Sequence, residues 1–257
     1  MPRSPSRSYG GASFSFGPGS ISQTLKILIG ANVVMFLAQR FAPYDPSTQA
    51  DFITGTFGLM PAAVIGRLRV WQLGTYLFLH VSVIHILFNM LALWLFGTEL
   101  ERMWGTRYFL KFYFVTGIGA GALTVLVSLL PFGFAEALRQ SVVIGASGAI
   151  FGLLLAYALY FPDRQIYMYL LFPIPAKYFV MIIGAITLYS SIGESGVANV
   201  THLGGLLVAY LYLKGGSMDP IGEAKYRYLK WKIARTRKKF DVYSGGRSVD
   251  DWNKRVH

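Results

Sequence analysis

Six stretches of this chain are apolar enough to need a solvent other than water. They are approximately Ile21–Phe41, Thr75–Gly97, Tyr108–Leu130, Val142–Tyr160, Tyr178–Ile192 and Val197–Leu213. In a bilayer the backbone must satisfy its own hydrogen bonds, so such runs fold as helices packed on one another. Some are short for a span of about 20 residues, which suits helices enclosed by neighbours. The fold class expected is therefore an all-α membrane protein with six transmembrane helices. Composition agrees: Asp, Glu, Lys and Arg make up 14% of the 257 residues, against about a quarter in a soluble domain. The stretch Phe161–Lys177 is apolar but holds Pro162, Asp163, Arg164, Pro173 and Pro175, and it reads as a loop or re-entrant segment. There is no internal repeat.

Charge orients the bundle. Of the 24 Lys and Arg, only Arg40, Arg67, Arg69 and Arg139 fall on the outer side when both termini are placed inside. The other twenty lie inside, the asymmetry expected of cytoplasmic loops. Residues 1–20, rich in Ser, Gly, Pro and Arg, read as a disordered cytoplasmic leader with no cleavable signal peptide. Residues 21–213 form the core, and 214–257 a basic cytoplasmic tail. Within the tail, Asp219–Phe240 reads as a basic amphipathic helix touching anionic lipid. The net charge of +12 lies beside apolar segments, where it sets membrane orientation, and nucleic-acid binding is not expected. The absence of cysteine excludes disulfides, thiolate metal sites and a cysteine nucleophile.

Ionisable groups inside spans are costly and point to function. Span two carries His80, His85 and Asn89, span four opens with Gly145-Ala146-Ser147-Gly148, and span six carries His202 before Gly204-Gly205. These three spans all run from outside to inside. Their polar residues lie near the span starts, which puts them at one depth, about 5–15 Å below the outer face. A serine hydroxyl needs a base, and a neutral imidazole serves near neutral pH, so Ser147 and His202 form a candidate nucleophile and base. Gly145 and Gly148 allow close backbone approach, and the helix start at Ser147 leaves N–H groups free for an oxyanion. His85 and Asn89, four residues apart, project from one face of span two and offer side-chain donors. His80 is placed about 140° around that helix from His85, in a supporting polar network.

Each element has a plainer reading. Gly148-Ala-Ile-Phe-Gly152 is also a small-residue packing pattern, and a membrane histidine can serve an interhelical hydrogen bond. Phe151 packs either on the base or in the core. Gly205 reads as packing that brings span six close to span four. Packing alone does not require three distant segments to agree in depth.

At these residues the sequence resembles the rhomboid family of intramembrane serine proteases. The matching motifs are Gly145-Ala-Ser147-Gly148, Ala198-Asn-Val-Thr-His202 with Gly205, and His85-Ile-Leu-Phe-Asn89 with His80 upstream. Glu101-Arg102-Met-Trp104-Gly105 is similar to the family's acidic-and-glycine turn, and Phe172-Pro-Ile-Pro175-Ala-Lys177 to the run before the fifth span. The resemblance covers roughly residues 21–213. It implies a six-helix rhomboid-like bundle with a Ser–His dyad and no acidic third member. In that scheme Ser147 is the nucleophile and His202 the base, with the Ser147 N–H, His85 and Asn89 as the oxyanion hole. Neither cofactor nor metal is implied. One departure is that Trp71 is followed by Gln72, where the family often has Arg, which bears on how the first outer loop is anchored.

The activity expected is endopeptidase cleavage of transmembrane protein substrates near the outer membrane boundary, through an acyl-enzyme. A bacterial inner membrane suits the compact core. The rival readings are a proteolytically inactive rhomboid-like protein that binds membrane clients, and a transporter with a histidine proton relay. The second leaves Gly145-Ala-Ser147-Gly148 without a role.

Overall fold

The structure, a computed structural model, describes residues 20–46, 50–131, 133–168, 172–190 and 197–217. The leader, apart from Ser20, and the basic helix expected over 219–240 lie outside the described residues. The chain divides into two units, Met1–Leu213 and Lys214–His257, and the described helices belong to the first save the end of the last one.

The first helix, α1 (Gln23–Phe41), starts where the Ser22 hydroxyl accepts the Leu25 N–H at 3.1 Å. Beyond it, two-residue strands β1 (Tyr44–Asp45) and β2 (Ala50–Asp51) pair antiparallel. They lead into α2 (Phe52–Phe57), α3 (Pro61–Arg67), α4 (Gln72–Thr75) and a 3-10 turn at Tyr76–Phe78. These short helices carry their own signals: Asp51 caps α2, Pro61 opens α3, and Leu68 closes it at φ 53°. The longer α5 (Val83–Trp104) and α6 (Thr106–Val127) are joined by Gly105 alone, at φ 78°. Next come α7 (Gly133–Gln140), α8 (Ser147–Tyr160), strands β3 (Gln165–Met168) and β4 (Phe172–Pro175), α9 (Ala176–Ser190) and α10 (Val197–Ser217).

Among the described residues three helices, α1, α5 and α6, are long and apolar enough to cross a membrane, while α8 and Ala176–Tyr189 of α9 are apolar but shorter. The outward sides are apolar too. Ile27, Val34 and Leu37 on α1, Ile84, Leu87 and Phe88 on α5, and Met181 and Leu188 on α9 are more than half exposed. Lipid, not water, matches such a surface.

Two span starts differ from the sequence expectation. The second run was expected to be helical from Thr75, but Leu79 is extended and Ser82 caps α5, so that helix begins at Val83. His80 therefore precedes α5 and does not sit about its axis. The fourth run is not helical from Val142: Val143 and Leu59 exchange backbone hydrogen bonds of 2.8 and 2.9 Å, and α8 begins only at Ser147, after Ala146 has turned into helical backbone. The 161–177 connection is an antiparallel hairpin, Gln165 pairing with Pro175 and Met168 with Phe172. Lys177 closes its base with a 2.7 Å ion pair to Asp163.

At the centre stands α8, packed on α5, α6 and α9. It is apolar all round, the mark of an enclosed helix, and Gly148, Ala149, Gly152, Leu153 and Ala156 are buried. Small residues let α6 approach it closely: a Cβ at Gly152 would stand 2.9 Å from Thr116, and one at Gly148 3.0 Å from Ala120. At the α5–α6 turn the buried Glu101 accepts hydrogen bonds from the Ser22 hydroxyl and, at 2.8 Å, from Thr106. One carboxylate thus ties the starts of α1 and α6 to the end of α5. Trp104 packs there against Tyr108, Phe112 and Tyr160, with ring centroids 5.0–5.5 Å apart.

Candidate active site

Three helix beginnings converge. Ser147 is the first residue of α8, so its N–H has no acceptor within the helix. His202 lies in the second turn of α10, and its Nε2 is 2.7 Å from Ser147 Oγ. His85 lies in the first turn of α5, where its N–H is taken by the Ser82 hydroxyl at 3.2 Å. Asn89, one turn on, is buried and donates from Nδ2 to the His85 carbonyl at 3.0 Å.

Gly145 joins the second histidine to the serine. Its φ of 130° is one that side chains rarely adopt, and a Cβ built there would stand 2.8 Å from His85 Cε1, 2.9 Å from Nε2 and 3.5 Å from Ser147 Oγ. The His85 ring edge and the Ser147 hydroxyl therefore border the same small space, which only glycine leaves open. The loop is pinned by the Gly145 N–H, which donates to the Tyr76 carbonyl at 2.9 Å.

The His202 ring is fixed on several sides. Phe151, one turn after Ser147, lies parallel to it, with centroids 4.5 Å apart and planes 1° from parallel. A Cβ at Gly205 would run into the carbonyl oxygen of Gly148, so α10 and α8 meet backbone to backbone. The Thr201 and Thr124 hydroxyls lie 2.8 Å apart, which sets α10 against α6. Such a bond is worth only about 0.6 kcal/mol in a membrane, and its value here is register.

Sequence reasoning singled out Ser147, His202, His85, Asn89, Gly145, Gly148, Phe151 and Gly205; the structure sets His202 and Phe151 against each other beside Ser147, Gly205 against Gly148 and His85 against Gly145, while Asn89 lies one turn beyond His85 on α5. His80 is close by but differently placed, its ring edge-on to His85 with centroids 4.9 Å apart. The polar network it joins runs through its backbone N–H, which donates to Gln39 Oε1 at 3.0 Å. Sequence reasoning missed Tyr76, Gln39, Thr124 and Thr201. It also left open what Gln72 does. Buried, Gln72 accepts the Met60 N–H at 3.1 Å and donates to the Thr56 carbonyl at 3.2 Å, while Trp71 Nε1 reaches the same carbonyl at 3.0 Å. The loop is thus stitched to itself by the Gln72 amide, with Arg69 Nη1 adding a 3.2 Å bond to the Gly55 carbonyl.

Chemically, an imidazole accepting from a serine hydroxyl makes a nucleophile, and donors facing it stabilise a developing oxyanion. An apolar helical bundle with this arrangement defines an integral membrane protein with a candidate serine-nucleophile centre. Residues 67–217 match the Rhomboid domain, and the chain belongs to the rhomboid family. Among its relatives, it is 36% identical over 151 residues to Rhomboid protease GluP of Bacillus subtilis (strain 168), covering 59% of this chain and 27% of that one. It is 27% identical over 207 residues to Rhomboid protease AarA of Providencia stuartii, covering 76% and 73%. It is also 27% identical over 197 residues to Rhomboid protein 1, mitochondrial, of Saccharomyces cerevisiae, covering 72% and 51%. The chain thus spans a quarter to a half of the length of several relatives, and about three quarters of AarA.

Proposed function

We propose that this chain is an intramembrane serine endopeptidase that cleaves transmembrane protein substrates near the outer membrane boundary. The observation that carries the reading is the 2.7 Å approach of His202 Nε2 to Ser147 Oγ at the starts of two apolar helices. The relatives named as proteases support it. In this reading α1, α5, α6, α8, α9 and α10 are the six spans, both termini are cytoplasmic, and the membrane is a bacterial inner membrane. Residues 1–20 are the leader and 214–257 a tail that meets membrane lipid.

The steps follow from the side chains. As Ser147 Oγ attacks the scissile carbonyl carbon, His202 Nε2 takes its proton. Negative charge moves to the carbonyl oxygen, which accepts from the Ser147 N–H and from His85 and Asn89. Collapse breaks the C–N bond, the amine leaves with the proton held on His202, and Ser147 keeps the acyl group. Water then attacks the ester, its proton going to His202, and the acid departs as Ser147 regains its hydrogen. A helical substrate must unwind locally to present its carbonyl, so substrates with Gly or small residues near the cut are favoured.

The test is cleavage of a generic transmembrane substrate by the purified chain, with Ser147→Ala, His202→Ala and the double variant beside it. Each single change abolishes turnover and the double is little worse, because members of one catalytic unit are not additive. Equal cleavage by wild type and Ser147→Ala ends this reading. A fluorophosphonate label on Ser147 separates it from a client-binding protein, which does not react.

A further inference from the structure

Gln39 is an amide in the last turn of α1, beside Arg40, and it is only 3% exposed. A buried amide is costly unless both its ends are paired, and here both are. Its Nε2 donates to Thr54 Oγ1 at 2.8 Å, and its Oε1 accepts the His80 N–H at 3.0 Å. Thr54 Oγ1 in turn donates to Asp51 Oδ2 at 2.6 Å, and Asp51 Oδ1 accepts the Thr54 N–H at 2.9 Å. This series has one direction. Both Asp51 oxygens accept, so the single Thr54 hydroxyl hydrogen is committed to Oδ2. Thr54 therefore accepts from the Gln39 amide nitrogen, which leaves the amide oxygen facing His80.

Beyond His80 the contacts continue to the reacting groups. The His80 ring stands edge-on to His85, and His85 borders the same small space at Gly145 as Ser147 Oγ does. The segment is also held at its other end, since the Tyr76 carbonyl accepts the Gly145 N–H. Asp51 and Thr54 belong to the cap and first turn of α2, outside the long helices.

We infer that Gln39 is a positioning residue for the oxyanion pocket: it fixes the His80 backbone, and through the His80 ring it holds the His85 imidazole where the oxyanion forms. The inference rests on the protease reading above and adds α1 and α2 to its machinery. Gln39 touches neither substrate nor Ser147. Its role differs from that of a merely stabilising amide, which would act through the folded fraction alone.

The experiment is a double-variant cycle on the full chain in liposomes with a transmembrane substrate. Gln39→Met keeps the side chain's length and removes both hydrogen bonds. It lowers kcat about tenfold, because a small misplacement of a catalytic donor is enough, and leaves KM within about twofold. In a His85→Ala background the same change has no further effect on kcat, since no imidazole remains to be placed. If Gln39→Met does not fold, Thr54→Val takes its place in the cycle, with a smaller loss that again vanishes without His85. An unchanged kcat per folded molecule, or the same factor with and without His85, overturns the inference and leaves the protease reading intact. Failure of wild type to cleave in a Ser147-dependent way overturns that reading, and this inference with it.

Discussion

Phe151 lies flat against His202, ring planes 1° from parallel and centroids 4.5 Å apart. An imidazole on a single Cα–Cβ axis has several rotamers, and only one brings Nε2 to Ser147. The aromatic face removes the others. Phe151→Leu keeps an apolar side chain but loses the flat platform, so kcat should fall about tenfold with KM little changed. Phe151→Tyr should retain most of the activity. Steady-state kinetics in detergent decides it, and equal kcat for Phe151→Leu and wild type would show the platform to be ordinary packing.

His85 and Asn89 serve either the oxyanion or only the scaffold, and truncation separates the two. Losing one oxyanion donor costs about 10²–10³ in kcat with little change in substrate binding. Losing a structural hydrogen bond in a membrane costs about 0.6 kcal/mol and acts through folding. Asn89→Ala and His85→Ala should therefore reduce turnover far more than thermal stability. Near-normal turnover per folded molecule would return that residue to the scaffold.

Gly205 admits no side chain, because the obstacle is the Gly148 backbone carbonyl, which cannot swing aside as a side chain can. Gly205→Ala should cost upward of about 1–3 kcal/mol, the usual range for overpacking. It should also separate His202 from Ser147, so activity falls further than stability alone explains. Thermal unfolding and fluorophosphonate labelling, measured on the same preparation, test both parts. Wild-type labelling and an unchanged Tm would mean that α10 meets α8 elsewhere.

Orientation has its own test. Reporter fusions after Tyr44 and Gly193 should lie outside, and those after Gly105 and Lys239 inside. A tail found outside would invert the membrane frame and move Ser147 toward the cytoplasmic face.

Much of the candidate site was legible because lipid makes polar residues conspicuous. Ser147, His202, His85 and Asn89 stood out against apolar runs, and helical periodicity put the last two on one face. The connection between α1 and α5 was not legible. Its helices are four to seven residues long, too short to show a period, and the apolar run from Thr75 hid the break at Leu79 that takes His80 off the helix. Gln39, next to Arg40, looked like the end of a span and not like a buried link. Thr124 and Thr201 escaped notice because a threonine in a helix can satisfy itself, as Thr124 does on the Ala120 carbonyl at 2.9 Å, and so gives no sign of a second partner.

In the protease reading, the brevity of α8 has a consequence for where a substrate is cut. Its 14 residues rise about 21 Å, against a hydrocarbon layer of about 30 Å. Tyr160 ends the helix among Trp104 and Tyr108, aromatic rings of the kind that settle at a membrane boundary. Measured up from that level, Ser147 falls roughly 9 Å short of the opposite boundary, the rise of about six residues of substrate helix. If the chain is the protease proposed, the length of α8 is a gauge: it sets how many residues from the membrane edge a client is severed.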